Sequence, residues 1–365
     1  MNGAKTSVWD VLAGLARENL LAADWEQDAA AALEALDESQ PWYVRTMVGF
    51  GAWLASLFLI SFVAGVSVVA TDGGYMLLGL TFVVAGTLVR RNVDADFPNQ
   101  MTLATSLAGQ ALFAYGIGRL GDFDLEVPLL VLIVLNAILV AVFPDRIHRF
   151  LSTVGIVSAF IVLLYVWELN GLVPVVGPVL AAGLVAMTDN EAKLVVKGWD
   201  DVLRPVMAGT MISAFGCLLL STVYLFPEIA RHLSIYPRPW ISTVMLGGVL
   251  LFVERRIWTR VFGSATGPAA MIAYVLTLAV IVAALPAPGL LLALVVIALG
   301  TAQGSPGYTG AGLAFLALFT GAYFYGIEVS MLIKSASLIA TGAVILVSRW
   351  CLLFLSRDGG RHVNA

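Results

Sequence analysis

The chain has 365 residues, of which 60% are apolar and 12% are charged, and its mean hydropathy is +0.92. A soluble domain of ordinary composition carries about 25% charged residues, so this composition excludes an ordinary soluble protein and predicts that most of the chain lies in lipid. The formal charge is −4, and no basic stretch of the kind that binds nucleic acid is present. The sequence therefore predicts a membrane protein without a nucleic-acid partner.

Residues 1–45 are the acidic part of the chain. They hold three basic and eight acidic side chains, a net charge of −5 that leaves +1 for the rest. Ser7 can cap one short helix, and an alanine-rich pattern predicts a second at 24–36. We expect a small cytoplasmic helical segment that lies on the membrane domain, with a docking site for a partner as the alternative. Because the segment is polar and acidic, we expect no signal peptide before the first span.

The stretch 47–70 is the clearest membrane span. Its 24 residues carry no charge and would rise about 36 Å as a helix, which is enough to cross a hydrocarbon core of roughly 30 Å. Trp42 and Tyr43 suit the headgroup layer in front of it, and Arg45 places that end of the span in the cytoplasm.

Further apolar runs predict about twelve spans, and hence an all-α, polytopic transmembrane helix bundle. The spans are expected at 47–70, 74–89, 101–119, 128–143, 150–167, 171–187, 205–226, 240–253, 267–285, 288–302, 310–325 and 331–355. With the N-terminus inside, 16 of the 20 lysine and arginine residues fall on the cytoplasmic side and 4 fall outside. This asymmetry predicts an even number of spans with both termini in the cytoplasm.

The polar connection 188–204 divides the predicted spans six and six. We therefore expect a first membrane half at 46–187, a cytoplasmic interfacial linker at 188–204, a second half at 205–355 and a cytoplasmic tail at 356–365. A parallel internal repeat of the two halves is a further hypothesis.

Two amide side chains are candidate polar residues inside the membrane. Gln110 and Asn136 lie about 13 and 12 Å from the outer ends of the third and fourth spans. Because these spans are sequential and antiparallel, the simplest interpretation is a hydrogen bond between the two amides, with contact to a substrate as the alternative. Pro174 and Pro178 predict a kink or a broken start in the sixth span, made either for packing or for a transport site.

Four charged residues at the predicted outer face are further candidates. Arg119, Glu168 and Lys334 adjoin apolar runs and have aromatic neighbours, and Glu328 is the one acidic residue in the outer connection 326–330. We consider two interpretations, a polar cluster that the protein uses at its outer face and plain anchoring of the helix ends at the interface.

Enzymatic chemistry finds little support in the sequence. We find no nucleophile with a matching base and no phosphate-binding glycine loop. His148, His232 and His362 are expected in separate loops without a cysteine or carboxylate at ligand spacing, and Cys217 and Cys351 fall in apolar runs, where a thiol acts as a small hydrophobe. We therefore expect no enzyme, no cofactor and no metal ion.

Several motifs resemble those of a bacterial family of polytopic membrane proteins described only as a domain of unknown function, the forty-four-oh-one family. They are Pro41-Trp42-Tyr43-Val44-Arg45, Phe143-Pro144-Asp145-Arg146-Ile147-His148-Arg149, Tyr323-Phe324-Tyr325 and Ser348-Arg349-Trp350. The resemblance covers nearly the whole chain and implies a multi-pass protein of the bacterial inner membrane. Members are often encoded beside a small exported protein with a Gly-Asp-Tyr motif, so it also implies a periplasmic protein partner. The major facilitator superfamily shares the six-plus-six plan, but residues 90–100 lack its glycine-bracketed Asp-Arg signature.

Two classes of function follow from these observations. The first is a non-enzymatic membrane component that binds an envelope or exported protein. The second is a transporter or lipid-handling carrier with a site between the two halves. A mid-membrane cavity lined by Gln110, Asn136 and the break at Pro174 would indicate a carrier, whereas a closed core with mutually satisfied polar residues would indicate the partner-binding component.

Overall fold

A computed structural model describes residues 71–93, 96–122, 124–221 and 238–326, together with isolated positions nearer the two ends. Within these residues all regular structure is helical and no strand is formed, which confirms the all-α prediction for this part of the chain. The predicted first and twelfth spans and the segment 1–45 lie almost entirely outside the described residues, and the tail 356–365 lies wholly outside them.

Ten α-helices of the described ranges coincide with the second to the eleventh predicted spans. They are α1 Asp72–Asn92, α2 Asp96–Leu120, α3 Glu126–Val142, α4 Arg146–Val166, α5 Val173–Val196, α6 Asp200–Ser221, α7 Pro239–Phe262, α8 Pro268–Ala283, α9 Pro288–Gln303 and α10 Pro306–Gly326, with a 3-10 turn at Asn170–Leu172 before α5. The predicted linker 188–204 is mostly helical, because α5 continues to Val196 and α6 begins at Asp200.

Four segments of the described chain are long and apolar enough to cross a membrane. They are Gly73–Asn92, Arg146–Val166, Asn170–Val196 and Asp200–Leu220. Three shorter apolar helices, α3, α8 and α9, have 16 or 17 residues and rise about 24 to 26 Å. These lengths and compositions suit a membrane protein, while the total of twelve spans and the positions of the termini stay predictions.

Helix α9 lies at the centre of the main hydrophobic core. Leu291, Leu292 and Val295 have no exposed surface, as expected for a helix that is apolar on all sides and must be surrounded. The core around α9 is formed by α5, α6, α7 and α10. Because α5 belongs to the first predicted half and the others to the second, the two halves share this core.

Helices α1 and α2 approach each other closely at two glycines. A Cβ atom on Gly79 would lie 2.6 Å from the carbonyl oxygen of Gly109, and a Cβ atom on Gly109 would lie 2.6 Å from the carbonyl oxygen of Gly79. Any larger side chain at either position would therefore force the two backbones apart.

Pro178 lies inside α5 and leaves one backbone carbonyl without its helical donor. A proline has no N–H, so the carbonyl of Pro174, four residues earlier, receives no bond from position 178. The hydroxyl of Ser242 on α7 donates to this oxygen at 2.6 Å, and Ser242 is completely buried. The helix runs through Pro178 without a gap, and the freed carbonyl serves as a contact between α5 and α7.

This contact predicts a double-mutant cycle. Ser242→Ala should lower the free energy of unfolding by about 0.5 to 1.5 kcal/mol, because a buried acceptor loses its donor. Pro178→Ala restores an N–H that can bond the Pro174 carbonyl, so Ser242→Ala should cost less in that background. Unfolding of the four variants in mixed micelles measures the difference. An equal cost of Ser242→Ala in both backgrounds would contradict this account.

Candidate functional site

Within the described residues, several buried polar side chains gather where α3 ends and α4 begins, at residues 143–149, which we name the α3–α4 junction. Pro144 cannot continue α3, and Asp145 takes up an extended conformation (φ −140°, ψ 130°) as the N-cap of α4. The Asp145 carboxylate accepts a hydrogen bond from the backbone N–H of His148 at 2.9 Å. The local sequence thus fixes where α4 starts and places His148 in its first turn.

His148 has no exposed surface and makes hydrogen bonds through both ring nitrogens. Its Nε2 lies 2.9 Å from the Ser106 hydroxyl on α2, and its Nδ1 lies 3.1 Å from the Ser152 hydroxyl one turn along α4. The amide nitrogen of Gln110 lies 3.4 Å from Nε2. The ring stacks on Phe143 with centroids 3.9 Å apart and planes 13° from parallel. We name these four polar residues, Ser106, Gln110, His148 and Ser152, the histidine cluster.

Arg149 is the second buried polar residue of the junction, with 9% of its surface exposed. Its Nε donates to the carbonyl of Val140 at 3.1 Å, and its Nη1 donates to the carbonyl of Asp201 at 2.8 Å. Both carbonyls lie four residues before a proline, Pro144 and Pro205, and so lack the usual helical donor. One guanidinium therefore completes the hydrogen bonding of α3 and α6 and joins both to α4.

Ion pairs surround the junction at the ends of four helices. Arg90 at the end of α1 lies 3.4 Å from Asp145, and Arg146 lies 2.6 Å from Asp201 at the start of α6. Arg91 also donates to the Val142 carbonyl at 2.9 Å. The Arg146 and Asp201 side chains are 64% and 69% exposed, so their pair adds little stability. The buried bonds of His148 and Arg149 hold these helix ends together.

The chemistry of the histidine cluster suits a structural role better than catalysis. Ser106 and His148 are spaced like a nucleophile and its base, but the second ring nitrogen faces the Ser152 hydroxyl rather than a carboxylate. Neither Ser106 nor His148 has exposed surface through which a substrate would reach it. Among the described residues, no group of three or more histidine, cysteine or acidic side chains is placed to hold a metal ion.

The predicted hydrogen bond between Gln110 and Asn136 is wrong. Both amides are buried, with 6% and 5% of their surface exposed, but they face different neighbours. Gln110 lies against His148, whereas the Asn136 amide nitrogen donates to the Leu132 carbonyl of its own helix at 2.9 Å. The Asn136 side chain also lies against Gly155 on α4, where an added Cβ would be 3.4 Å from its oxygen. Equal depth along two helices did not make the amides face each other.

Two of the four predicted outer-face residues, Arg119 and Glu168, lie within the described part of the chain. Arg119 is exposed, and its guanidinium carbon lies 5.9 Å from the centre of the Tyr75 ring, which meets the Tyr115 ring edge-on at 5.2 Å. Glu168 is exposed and has a positive φ of 58°, in the turn that ends α4. Glu328 and Lys334 lie outside the described residues, so the polar outer-face cluster stays a prediction.

His148 is expected in a loop from the sequence, so the histidine cluster is not predicted. The structure puts this residue in a helix and in the core, which corrects that expectation. A local signal was available, since an aspartate three residues before His148 is a typical N-cap and Ser152 follows one turn later. Burial of the ring depends on α2, which is distant in sequence.

The described residues form two open surface grooves. One has a volume of about 440 Å³ and lies between α5 and α7, and the other has about 250 Å³ and lies on α8. Neither is lined by the histidine cluster, Asn136 or Pro174.

A family described as "Domain of unknown function (DUF4401)" matches residues 41–355 of the chain. No curated protein and no solved structure matches the chain. The family description gives no activity.

The corrected geometry of Gln110 predicts which of its neighbours is energetically coupled to it. Gln110→Leu should cost about 0.5 to 1.5 kcal/mol, and its combination with His148→Phe should cost less than the sum of the single changes. Gln110→Leu and Asn136→Leu should instead add within about 0.5 kcal/mol. Unfolding cycles in detergent test both statements, and coupling of Gln110 to Asn136 rather than to His148 would refute this geometry.

Proposed function

We propose, starting from the fact that the chain belongs to the DUF4401 family, that it is a multi-pass protein of the bacterial inner membrane. It has about twelve spans, and both termini lie in the cytoplasm. It acts as a non-enzymatic membrane component that binds an envelope or exported protein. The observation that carries this proposal is that His148, Gln110, Asn136 and the carbonyl of Pro174 are all bonded to other groups of the protein.

Each polar candidate that a carrier would present to a substrate already has a protein partner. Both ring nitrogens of His148 are bonded, Gln110 lies against that ring, and Asn136 donates to a carbonyl. The carbonyl freed at Pro174 accepts a bond from Ser242. A carrier site needs polar groups that face a cavity, and neither described groove reaches these residues. This arrangement favours a partner-binding component over a carrier.

The ion pairs support the proposed orientation. Arg90 meets Asp145, Arg146 meets Asp201, and Arg256 on α7 meets Asp189 near the end of α5. These pairs bring together helix ends that the distribution of basic residues assigns to the cytoplasm. Contact among them fits helices that run alternately up and down, as a multi-pass chain requires.

The opposite ends of the helices offer a surface for a protein partner. Arg119 and Glu168 are exposed there beside the part-exposed aromatic side chains of Tyr115 and Trp167. Aromatic residues and arginine are enriched in protein interfaces, so this face fits a protein partner. The partner that the family resemblance implies is a small exported protein with a Gly-Asp-Tyr motif.

Cysteine labelling tests both the closed interior and the orientation. In a background with Cys217 and Cys351 replaced by alanine, Asp124→Cys should react with a membrane-impermeant maleimide in intact cells. Arg204→Cys should react only after the cells are opened, because it lies on the cytoplasmic side. Gln110→Cys, whose position is buried, should react in neither case. Labelling of Gln110→Cys from water would reveal an aqueous cavity and favour a carrier.

Site-directed photo-crosslinking tests the partner. A photoreactive side chain at the exposed Glu168 position should form an adduct with the co-expressed small exported protein. The same group at Val134, which is 59% exposed on α3 but lies within an apolar span, should form none. Adducts from both positions, or from neither, would argue against a specific contact at the outer face.

A further inference from the structure

We propose that the groove between α5 and α7 binds an anionic phospholipid, with an acyl chain along its apolar floor and the headgroup phosphate at its arginine-bearing end. This inference goes beyond the proposed function, because it concerns a different surface and a different ligand. It rests on the shape of the groove, on the charges at one end and on the position of that end.

The groove is apolar over most of its length. Its volume of about 440 Å³ lies within the range of roughly 300 to 1,000 Å³ that is usual for small-molecule sites. Val185 is buried, whereas Met245 and Phe252 are 36% and 52% exposed at the surface. Both helices contribute apolar side chains: Ala182, Val185 and Ala186 from α5, and Met245, Val249 and Phe252 from α7. A surface of this kind suits a hydrocarbon chain.

Gly248 on α7 keeps the groove open. A Cβ atom built on this residue would meet no atom of the described part of the chain within 4 Å. No described residue therefore fills the space in front of Gly248, in contrast to the glycine contact between α1 and α2.

One end of the groove is polar and carries an excess of positive charge. Asp189 and Asn190 line this end. Arg256 forms an ion pair with Asp189, and Arg260 Nη2 lies 3.6 Å from the other oxygen of the same carboxylate. Two guanidinium groups thus share one carboxylate, which leaves a net positive charge, and the Arg260 side chain is 61% exposed. A phosphate can bind such a pair through charge-assisted hydrogen bonds.

The direction of the groove favours a lipid over a soluble anion. From Asp189 back to Ala182, α5 rises about 10 Å, so the apolar floor runs from the charged end toward the middle of the helix. The charged end belongs to the side that the basic residues assign to the cytoplasm, where anionic lipids attract arginine clusters near helix ends. A molecule that matches both parts has an anionic head and an apolar tail.

Lipid binding can be measured on the purified full-length protein in zwitterionic detergent. Phosphatidylglycerol and phosphatidylcholine with the same acyl chains should be compared by thermal shift and by native mass spectrometry. We expect phosphatidylglycerol to raise the Tm in a concentration-dependent way and to remain bound in the gas phase. Phosphatidylcholine should bind at least about fivefold more weakly, because it carries no net negative charge.

Two variants locate the site. Gly248→Leu puts a side chain into the groove from a position where an added Cβ meets no described atom within 4 Å, and it should weaken phosphatidylglycerol binding about fivefold or more. Arg260→Gln removes one guanidinium and should weaken it about tenfold, in keeping with the loss of a charge-assisted hydrogen bond.

Each variant has a matched control elsewhere in the bundle. Gly216→Leu changes an exposed glycine on α6 where, as at Gly248, an added Cβ would meet no described atom within 4 Å. Arg204→Gln removes an arginine that is 62% exposed and paired with Asp200 on the same predicted side. Both controls should bind phosphatidylglycerol like the unmodified protein.

The alternative outcomes overturn the proposal in different ways. If glycerol 3-phosphate stabilises the protein as much as the lipid does, and only Arg260→Gln matters, the ligand is a soluble anion. If only Gly248→Leu matters and phosphatidylcholine binds equally well, the groove holds hydrocarbon without selecting a headgroup. If all four variants bind like the unmodified protein, the groove is not a lipid site. The Tm of each variant without lipid shows whether it has folded.

Discussion

Arg149 makes the interaction on which the α3–α4 junction depends. Backbone carbonyls that lie in lipid or in a protein core have no water to bond, so each one that loses its helical donor needs another. Pro144 and Pro205 free two such carbonyls on different helices, and one buried guanidinium donates to both. Arginine suits this position better than lysine, because its planar group presents several donors in fixed directions. The contact fixes α3, α4 and α6 relative to one another.

The same principle operates between α5 and α7, where Ser242 donates to the carbonyl freed by Pro178. In lipid, the hydrophobic effect gives helices little reason to associate, because the surrounding tails are as apolar as the side chains. A hydrogen bond can hold two helices together where the hydrophobic effect does not. Such a bond forms when a proline frees a carbonyl on one helix and a donor on another helix binds it. Each freed acceptor and its donor thus form a specific contact between two helices. Because Ser242 satisfies the carbonyl of Pro174, α5 can continue through Pro178.

The sequence predicts the helices well and their mutual arrangement poorly, for a physical reason. Apolar runs and prolines are local signals, so the described helices fall where the spans were expected. The histidine cluster depends on Ser106 and His148, which are 42 residues apart, and the Arg149 contact spans 52 residues. The position of a residue along a helix predicts its depth in the membrane. It does not predict how the helix is rotated about its axis, and this rotation decides which neighbour the side chain faces. Gln110 and Asn136 were expected at equal depth, but Gln110 lies against His148 and Asn136 lies against Gly155, two turns further along α4.

Two glycine positions show how the same residue type can close one interface and leave another open. At Gly79 the opposite helix also presents a glycine, Gly109, so the two backbones meet and no space remains. At Gly248 the facing side of α5 offers Ala182 and Ala186, and a groove remains. Small residues on both sides of a helix pair normally allow close packing. Here α5 and α7 do not approach closely enough to close the groove. A lipid tail could lie against its apolar side chains without burying an unpaired polar group.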